Sequence, residues 1–135
     1  MTQVLFTPNT SIPMTQEGFV ELRAAALAVL ACADVGEKRA LCLAIEARIQ
    51  AGEFVLDVHR SFTDDFIFNT QCPGRPAKPE LMSALDVPRR RAHSLEGRQA
   101  MIHALAHIEF NAINLALDVM VRFADLPEDF YWDWW

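Results

Sequence analysis

The chain has 135 residues, of which 52% are hydrophobic and 22% are charged. This composition is typical of one globular domain and excludes an intrinsically disordered chain. The formal net charge of -6 argues against general binding to nucleic acid, because an acidic surface repels the phosphate backbone.

The cysteines and the first residues indicate the cellular compartment. Cys32, Cys42 and Cys72 have no CxxC spacing, which is typical of free thiols in a reducing compartment. The N-terminus lacks a basic region followed by an apolar run, so we expect no signal peptide. No stretch approaches the roughly 20 apolar residues of a membrane span. We therefore expect a cytoplasmic protein without a membrane partner.

The first third of the chain is predicted to form a helix hairpin. Apolar residues recur at helical spacing over residues 16–32, with Thr15 as the N-cap, and again over residues 37–51. Asp34 is placed to cap the second helix, and Gly52 is placed to end it. The short link between the two helices predicts that they lie antiparallel.

The rest of the chain is predicted to contain one more helix. Residues 53–72 carry bulky apolar side chains without helical periodicity, so we predict an irregular arm held by its aromatic residues. Repeated prolines in residues 73–93 predict a non-helical connection. Ser94 then caps a long helix predicted over residues 95–123. The predicted fold is all-α, with an N-terminal hairpin and one long helix.

The last six residues form an aromatic tail. They contain five large aromatic side chains, Phe130, Tyr131, Trp132, Trp134 and Trp135. Two arrangements remain open. Either the tail folds back on the N-terminal hairpin, or it is buried between chains, where Trp and Tyr are common anchors.

Glu109 is the first candidate functional residue. At about 100° per residue, Ile102, Leu105, Ile113 and Ala116 lie within about 60° of it, so its carboxylate is centred on the apolar stripe of the long helix. A buried carboxylate is unfavourable unless it is protonated, hydrogen-bonded or bound to a cation. Two interpretations fit: a metal ligand in a helical bundle, or a buried glutamate paired with an arginine.

His103 and His107 are weaker candidates for metal binding. Their i, i+4 spacing places two imidazoles on neighbouring turns. A zinc-protease motif needs Glu directly after the first His, but Ala104 stands there, so we reject that function. His107 lies about 160° and His103 about 120° from Glu109 around the helix, so the three do not easily share one ion. A hydrogen-bonded role on the polar face is the alternative.

Asn111, Asn114 and Asp118 form a polar stripe on the side of the long helix opposite Glu109. This stripe predicts either a buried polar ladder that joins the helix to the N-terminal hairpin, or a solvated surface.

Arg75, Arg89 and Arg90 lie in the proline-rich connection and are candidates for anion binding. Arginine forks match the geometry of phosphate, but no Gly-rich phosphate loop accompanies them. Structural salt bridges are the alternative, and Glu109 is then a candidate partner.

Five stretches occur in order and resemble one known family. They are Gly74-Arg-Pro76, Val87-Pro-Arg-Arg90, Glu96-Gly-Arg98, the run from His103 to Asp118, and Phe130-Tyr-Trp-Asp-Trp134. Together they resemble the amino-terminal half of a ferritin-like family filed as domain of unknown function four-fifty-five. The resemblance implies a partial four-helix bundle whose first core helix contributes Glu109 to a di-iron or di-manganese carboxylate centre.

The resemblance also divides the chain. Residues 1–72 correspond to the hairpin and arm, 73–93 to the connection, and 94–135 to a truncated first core helix. Members of the family continue into a helix with a Glu-x-x-His motif, and this chain has no such motif. We therefore expect a fragment or truncated copy that does not hold iron or manganese stably by itself.

Two functions follow for this chain. In the first, the complete protein is a di-iron oxidoreductase; because some ferritin-like relatives act on modified tRNA, tRNA is retained as a substrate class by analogy alone. In the second, the chain is a non-catalytic helical interaction module that self-associates through the apolar face of the long helix and the aromatic tail. In either case we expect a homo-oligomer or a missing C-terminal half.

Overall fold

The computed structural model describes residues 12–13, 15–83, 85–88, 90–91 and 93–135. In chain order its elements are β1 (Val20–Glu21), α1 (Leu22–Ala31), α2 (Val35–Gln50), β2 (Phe54–Val55), α3 (Phe66–Gln71), α4 (Leu95–Arg122) and α5 (Glu128–Trp134). The all-α prediction is confirmed. The short strands β1 and β2 form a two-residue parallel pairing.

The first helix begins later than predicted. Glu21 is the N-cap of α1, because its carboxylate accepts a hydrogen bond from the backbone N–H of Ala24 at 2.7 Å. Thr15 instead closes a turn, in which its hydroxyl accepts from the N–H of Phe19 at 3.1 Å. Gly18 in this turn has a φ of 83°, a left-handed conformation that interrupts a helix.

The other predicted helix ends are confirmed. The Asp34 carboxylate accepts from the N–H of Glu37 at 2.8 Å and caps α2. Gly52 follows that helix with a φ of 73°, as the C-terminal position requires. The Ser94 hydroxyl accepts from the N–H of Gly97 at 3.0 Å and caps α4. These caps were predictable because each depends on residues only three or four positions apart.

The prediction of an irregular arm over residues 53–72 is wrong in part. Phe54 pairs with Val20 through the β1–β2 ladder. Helix α3 is capped by Asp65, whose carboxylate accepts from the N–H of Ile67 at 2.8 Å. Phe62 is 2% exposed and joins the core. Asp65 before an apolar run was a usable cap signal that the aromatic spacing obscured.

Helix α1 lies at the centre of the hydrophobic core. Most of its residues are buried, and it packs against α2, α3 and α4. The C-terminal half of α4 supplies Leu117, Met120 and Val121 to this core. An apolar helix buried on nearly all sides is the expected centre of a small helical domain.

The aromatic tail folds back on the N-terminal hairpin, which is the first of the two arrangements left open by the sequence. Tyr131 in α5 is fully buried. The indole N–H of Trp135 donates to the Glu46 carboxylate at 2.9 Å, and the rings of Trp132 and Phe54 meet edge to face at 4.9 Å. The tail is therefore not the free anchor that the interaction-module hypothesis required.

Helix α4 is long and apolar enough to cross a membrane by length and composition alone. The sequence analysis passed over it because His, Glu and Asn interrupt its apolar residues. Core helices of soluble proteins meet the same criterion, so it does not decide the environment of α4.

Candidate functional site

A buried lysine joins α2 to α4. Lys38 is 2% exposed, and its ammonium donates to the Asn114 side-chain oxygen at 2.5 Å and to the Leu30 carbonyl at 3.2 Å. The ammonium also lies 5.0 Å from the centre of the Phe110 ring. Burial lowers the pKa of Lys38. The polar ladder predicted between α4 and the hairpin is thus present at Asn114.

The other polar residues of that stripe do not reach the hairpin by hydrogen bonds. Asn111 pairs with His107 through the amide nitrogen and the imidazole Nε2, 3.0 Å apart. Asp118 accepts two hydrogen bonds from Arg122, both at 2.8 Å, within α4 itself. Of the two arrangements that the sequence left open, the ladder is thus formed at Asn114, whereas the described partners of Asn111 and Asp118 lie one turn away within α4.

Glu109 is exposed, so its predicted burial is wrong for this chain. The hairpin packs on the side of α4 that carries Asn114, Leu117 and Val121. Apart from Gly97, the buried residues of α4 lie in its C-terminal half, Met120 of the apolar stripe among them, whereas residues 101–109 are all exposed. Among the described residues, Glu109 forms no salt bridge with an arginine.

An exposed apolar surface therefore surrounds Glu109. Ile102 is 64% exposed, Leu105 53% and Ile113 44%. We call this surface the α4 apolar face, defined by Ile102, Leu105, Glu109 and Ile113. Glu109 thus lies on the apolar stripe, as the sequence predicted, in the part of that stripe that is exposed.

A cavity of about 590 Å³ lies between the first half of α4, the start of α2 and the proline-rich connection. His103 and His107 both line it, together with Arg75 and Phe110. Glu109 is not among its lining residues. The structure thus brings the two histidines together with an arginine and leaves Glu109 apart from them, which agrees with their positions around the helix.

Gly74 explains how Arg75 reaches this cavity. The N–H of Gly74 donates to the Leu30 carbonyl at 2.8 Å, and a Cβ at this position would lie 2.2 Å from the carbonyl oxygen of Ala31. Only glycine permits so close an approach to the end of α1. Arg75 is thereby held beside the hairpin. Arg90 is exposed and does not line the cavity, and Arg89 lies outside the described residues.

The three cysteines are free thiols. Burial raises the pKa of each, and that of Cys72 rises to about 11. Because the thiolate is the reactive form, protonated thiols are poor nucleophiles and poor metal ligands at neutral pH. Within the described parts of the chain, no three His, Cys, Asp or Glu residues are grouped closely enough to hold a metal ion.

A second buried cation was missed by the sequence analysis. The guanidinium of Arg23 is fully buried and donates to the carbonyls of Met120 (2.9 Å), Val121 (3.1 Å) and Phe123 (3.1 Å) at the C-terminal end of α4. It also donates to three carbonyls of the preceding arm, those of Asp57, Val58 and Arg60. An arginine alone in the apolar run of α1 was the available signal.

Most of the chain matches one known family. The family described as Protein of unknown function (DUF455) matches residues 31–135. The chain belongs to this family. The DUF455 chain is also similar to a protein from Haemophilus influenzae strain Rd, described as "Uncharacterized protein", with 56% identity over 48 residues.

That match covers 36% of this DUF455 chain and 17% of the relative, so the chain corresponds to a minor part of the length of the curated relative it matches. No solved structure matches the chain.

Proposed function

We propose that this chain forms one helical layer of a ferritin-like metal-carboxylate oxidoreductase, in which further helices cover the α4 apolar face and Glu109 supplies one metal ligand. One observation carries the proposal: a carboxylate stands at the centre of an exposed apolar face on a 28-residue helix. The resemblance of the His103–Asp118 run to a ferritin-like family supports it.

The exposed face favours a covering layer on physical grounds. Helix α4 buries Leu117 and Val121 against the hairpin, yet it leaves Ile102, Leu105 and Ile113 to solvent. A solvent-facing helix side normally carries polar residues, and contiguous exposed apolar surface marks an interaction site. In a helical bundle, a carboxylate on such a face points toward the bundle core, where metal ligands from several helices converge.

The described residues do not by themselves fit a di-metal centre. Such centres require several carboxylates and usually histidines from facing helices. Here Glu109 is a single exposed carboxylate, and the two neighbouring histidines line a different surface. The proposal therefore assigns one donor to this chain and places the others on the helices that cover α4.

Metal-linked association tests the proposal on the chain itself. A second copy is the simplest cover for the α4 apolar face, and a symmetric pair brings two Glu109 carboxylates to one interface. We expect Mn²⁺ to strengthen dimerisation of the wild type by about tenfold, because a ligand that binds only the dimer stabilises it. Sedimentation equilibrium with and without Mn²⁺ measures this effect.

Matched variants assign the effect to Glu109. Glu109→Gln keeps the shape and removes the charge, and it should abolish the response to Mn²⁺. Glu96→Gln changes an exposed glutamate on another side of the same helix and should respond like the wild type. If Glu109→Gln responds as strongly as the wild type, Glu109 is not a metal ligand; if the wild type does not respond, a second copy does not supply the ligands that Glu109 requires.

The second candidate function is the non-catalytic interaction module. The exposed apolar side chains of Ile102, Leu105 and Ile113 favour it, since such a surface marks an interaction site. With the tail packed on the hairpin, the α4 apolar face is the surface that would associate. A stable dimer whose association constant is the same with and without Mn²⁺ would support this function over the first.

A further inference from the structure

The cavity beside α4 has the features of a ligand site that neither proposed function uses. At about 590 Å³ it lies within the range of small-molecule pockets, and its walls are mostly apolar. Pro76, Pro79 and Leu81 form the side contributed by the connection, and Phe110 lies on the helix side. Only a few of the lining side chains are polar. In pockets of this kind, a small number of polar groups fixes the orientation of the ligand.

The polar groups of this cavity favour an anion. Arg75 lines it and takes part in no salt bridge within the described part of the chain. His103 and His107 add two imidazoles one turn apart. Glu80 is the single carboxylate among the lining residues. Cationic and N–H groups therefore outnumber the acidic one.

The backbone at Arg75 is held beside the cavity, because the preceding residue, Gly74, is bound to the end of α1. The backbone contact of Gly74 with the end of α1 fixes the start of the connection at the cavity. A guanidinium held at the edge of an apolar pocket is suited to a planar acidic group, which it can bind through two parallel hydrogen bonds.

We propose that this cavity binds a small organic anion with an apolar body, whose acidic head meets Arg75 and the two imidazoles while its body lies against Phe110 and the prolines. The mostly apolar lining argues against a polyphosphate or a nucleic-acid backbone, which requires a basic channel. Two imidazoles with no third donor grouped near them argue against a metal site within the described residues.

An NMR titration with two ligands that have nearly the same shape but differ in charge tests the proposal. The probes are 4-phenylbutyrate and its uncharged amide, 4-phenylbutyramide, at pH 7. We expect the carboxylate to bind about tenfold more tightly than the amide, because hydrogen bonds to an ionised partner are the stronger ones. The shifted amide resonances should belong to the first half of α4 and to the connection.

Three variants distinguish the contribution of the ligand's acidic head to binding from that of its apolar body. Arg75→Gln should reduce the affinity for 4-phenylbutyrate to that for the amide, without changing the amide affinity. Leu81→Ser should weaken both ligands and keep their ratio, because it removes only apolar contact. Arg98→Gln changes an exposed arginine of α4 outside the cavity and should leave both affinities unchanged.

All three residues are exposed, so the variants should fold, and resonances outside the cavity confirm this. Absence of saturable binding up to about 10 mM by the wild type would overturn the proposal. So would an unchanged preference in Arg75→Gln, or shifts confined to the α4 apolar face. None of these results depends on whether Glu109 binds a metal.

Discussion

Two buried cations show how single residues hold this small domain together. The Arg23 side chain is enclosed between the arm and the end of α4, and its six carbonyl partners replace the water it has lost. The rings of Phe62 and Tyr131 lie 5.3 and 5.0 Å from the guanidinium. Because helix dipoles place negative partial charge at C-termini, the end of α4 is a favourable place for this cation.

Arg23→Met should therefore destabilise the protein strongly. The methionine fills part of the volume but leaves several buried carbonyls without a donor, and we expect a loss of about 3–5 kcal/mol in the free energy of unfolding. Urea unfolding followed by circular dichroism measures it. Arg39→Met, at an exposed position of α2, should change stability by less than about 0.5 kcal/mol. Equal effects of the two substitutions would contradict the structural role of Arg23.

The residue scale is also where sequence analysis succeeded and failed most clearly. The central position of Glu109 on the apolar stripe was predictable, since helical periodicity alone determines it. Its exposure was not, because it depends on which part of α4 the hairpin covers, and contacts between them such as Lys38 with Asn114 join residues 76 positions apart. The local amino-acid sequence of α4 does not indicate where such distant contacts form.

At the scale of elements, α4 is a helix with two different halves. Its C-terminal half packs into the core through Leu117, Met120 and Val121, and most of the α4 apolar face lies on its exposed N-terminal half. The caps and lengths of α2 and α4 were predictable from local signals. The β1–β2 pairing and the cavity were not, because each joins segments that are far apart in sequence.

A double-mutant cycle should show that Lys38 and Asn114 act as one unit. Each single change, Lys38→Met or Asn114→Leu, leaves a buried partner unsatisfied and should cost about 2–3 kcal/mol. The double variant should lose less than the sum of the two by about 1–2 kcal/mol, because neither partner remains. Urea unfolding of the four proteins at pH 7 gives these values.

The exposed Asp118–Arg122 pair serves as the comparison for that cycle. Its coupling should stay below about 0.5 kcal/mol, since solvent screens surface pairs. If the coupling energy between Lys38 and Asn114 is equally small, the buried hydrogen bond between them does not stabilise the contact of α2 with α4.

At the scale of the whole molecule, stability and association should respond to different surfaces. The aromatic tail belongs to the interior of the fold, through Tyr131 and Trp135. The α4 apolar face is exposed and contributes little to the stability of the isolated chain. The sequence left these two roles open because it could not show which apolar group the hairpin would cover.

The substitution Glu109→Leu should change self-association without changing the stability of the chain. We expect the free energy of unfolding to stay within about 0.5 kcal/mol, because the residue is exposed. Self-association should increase, since the substitution completes an apolar face. Light scattering across a concentration series measures this, with Glu96→Leu as the control. A variant that unfolds, or one that remains as monomeric as the control, would show that the face is not arranged as described.

The hydrogen bonds of Arg23 also affect when the domain can fold during its synthesis. Its partners at Met120 and Phe123 lie 97 and 100 positions further along the chain. A ribosome therefore releases α1 long before the carbonyls that will surround its guanidinium exist. Until residue 123 has been synthesised, the most buried helix of the fold carries a cation that it cannot yet enclose. The last quarter of the chain is what allows the first helix to become the core.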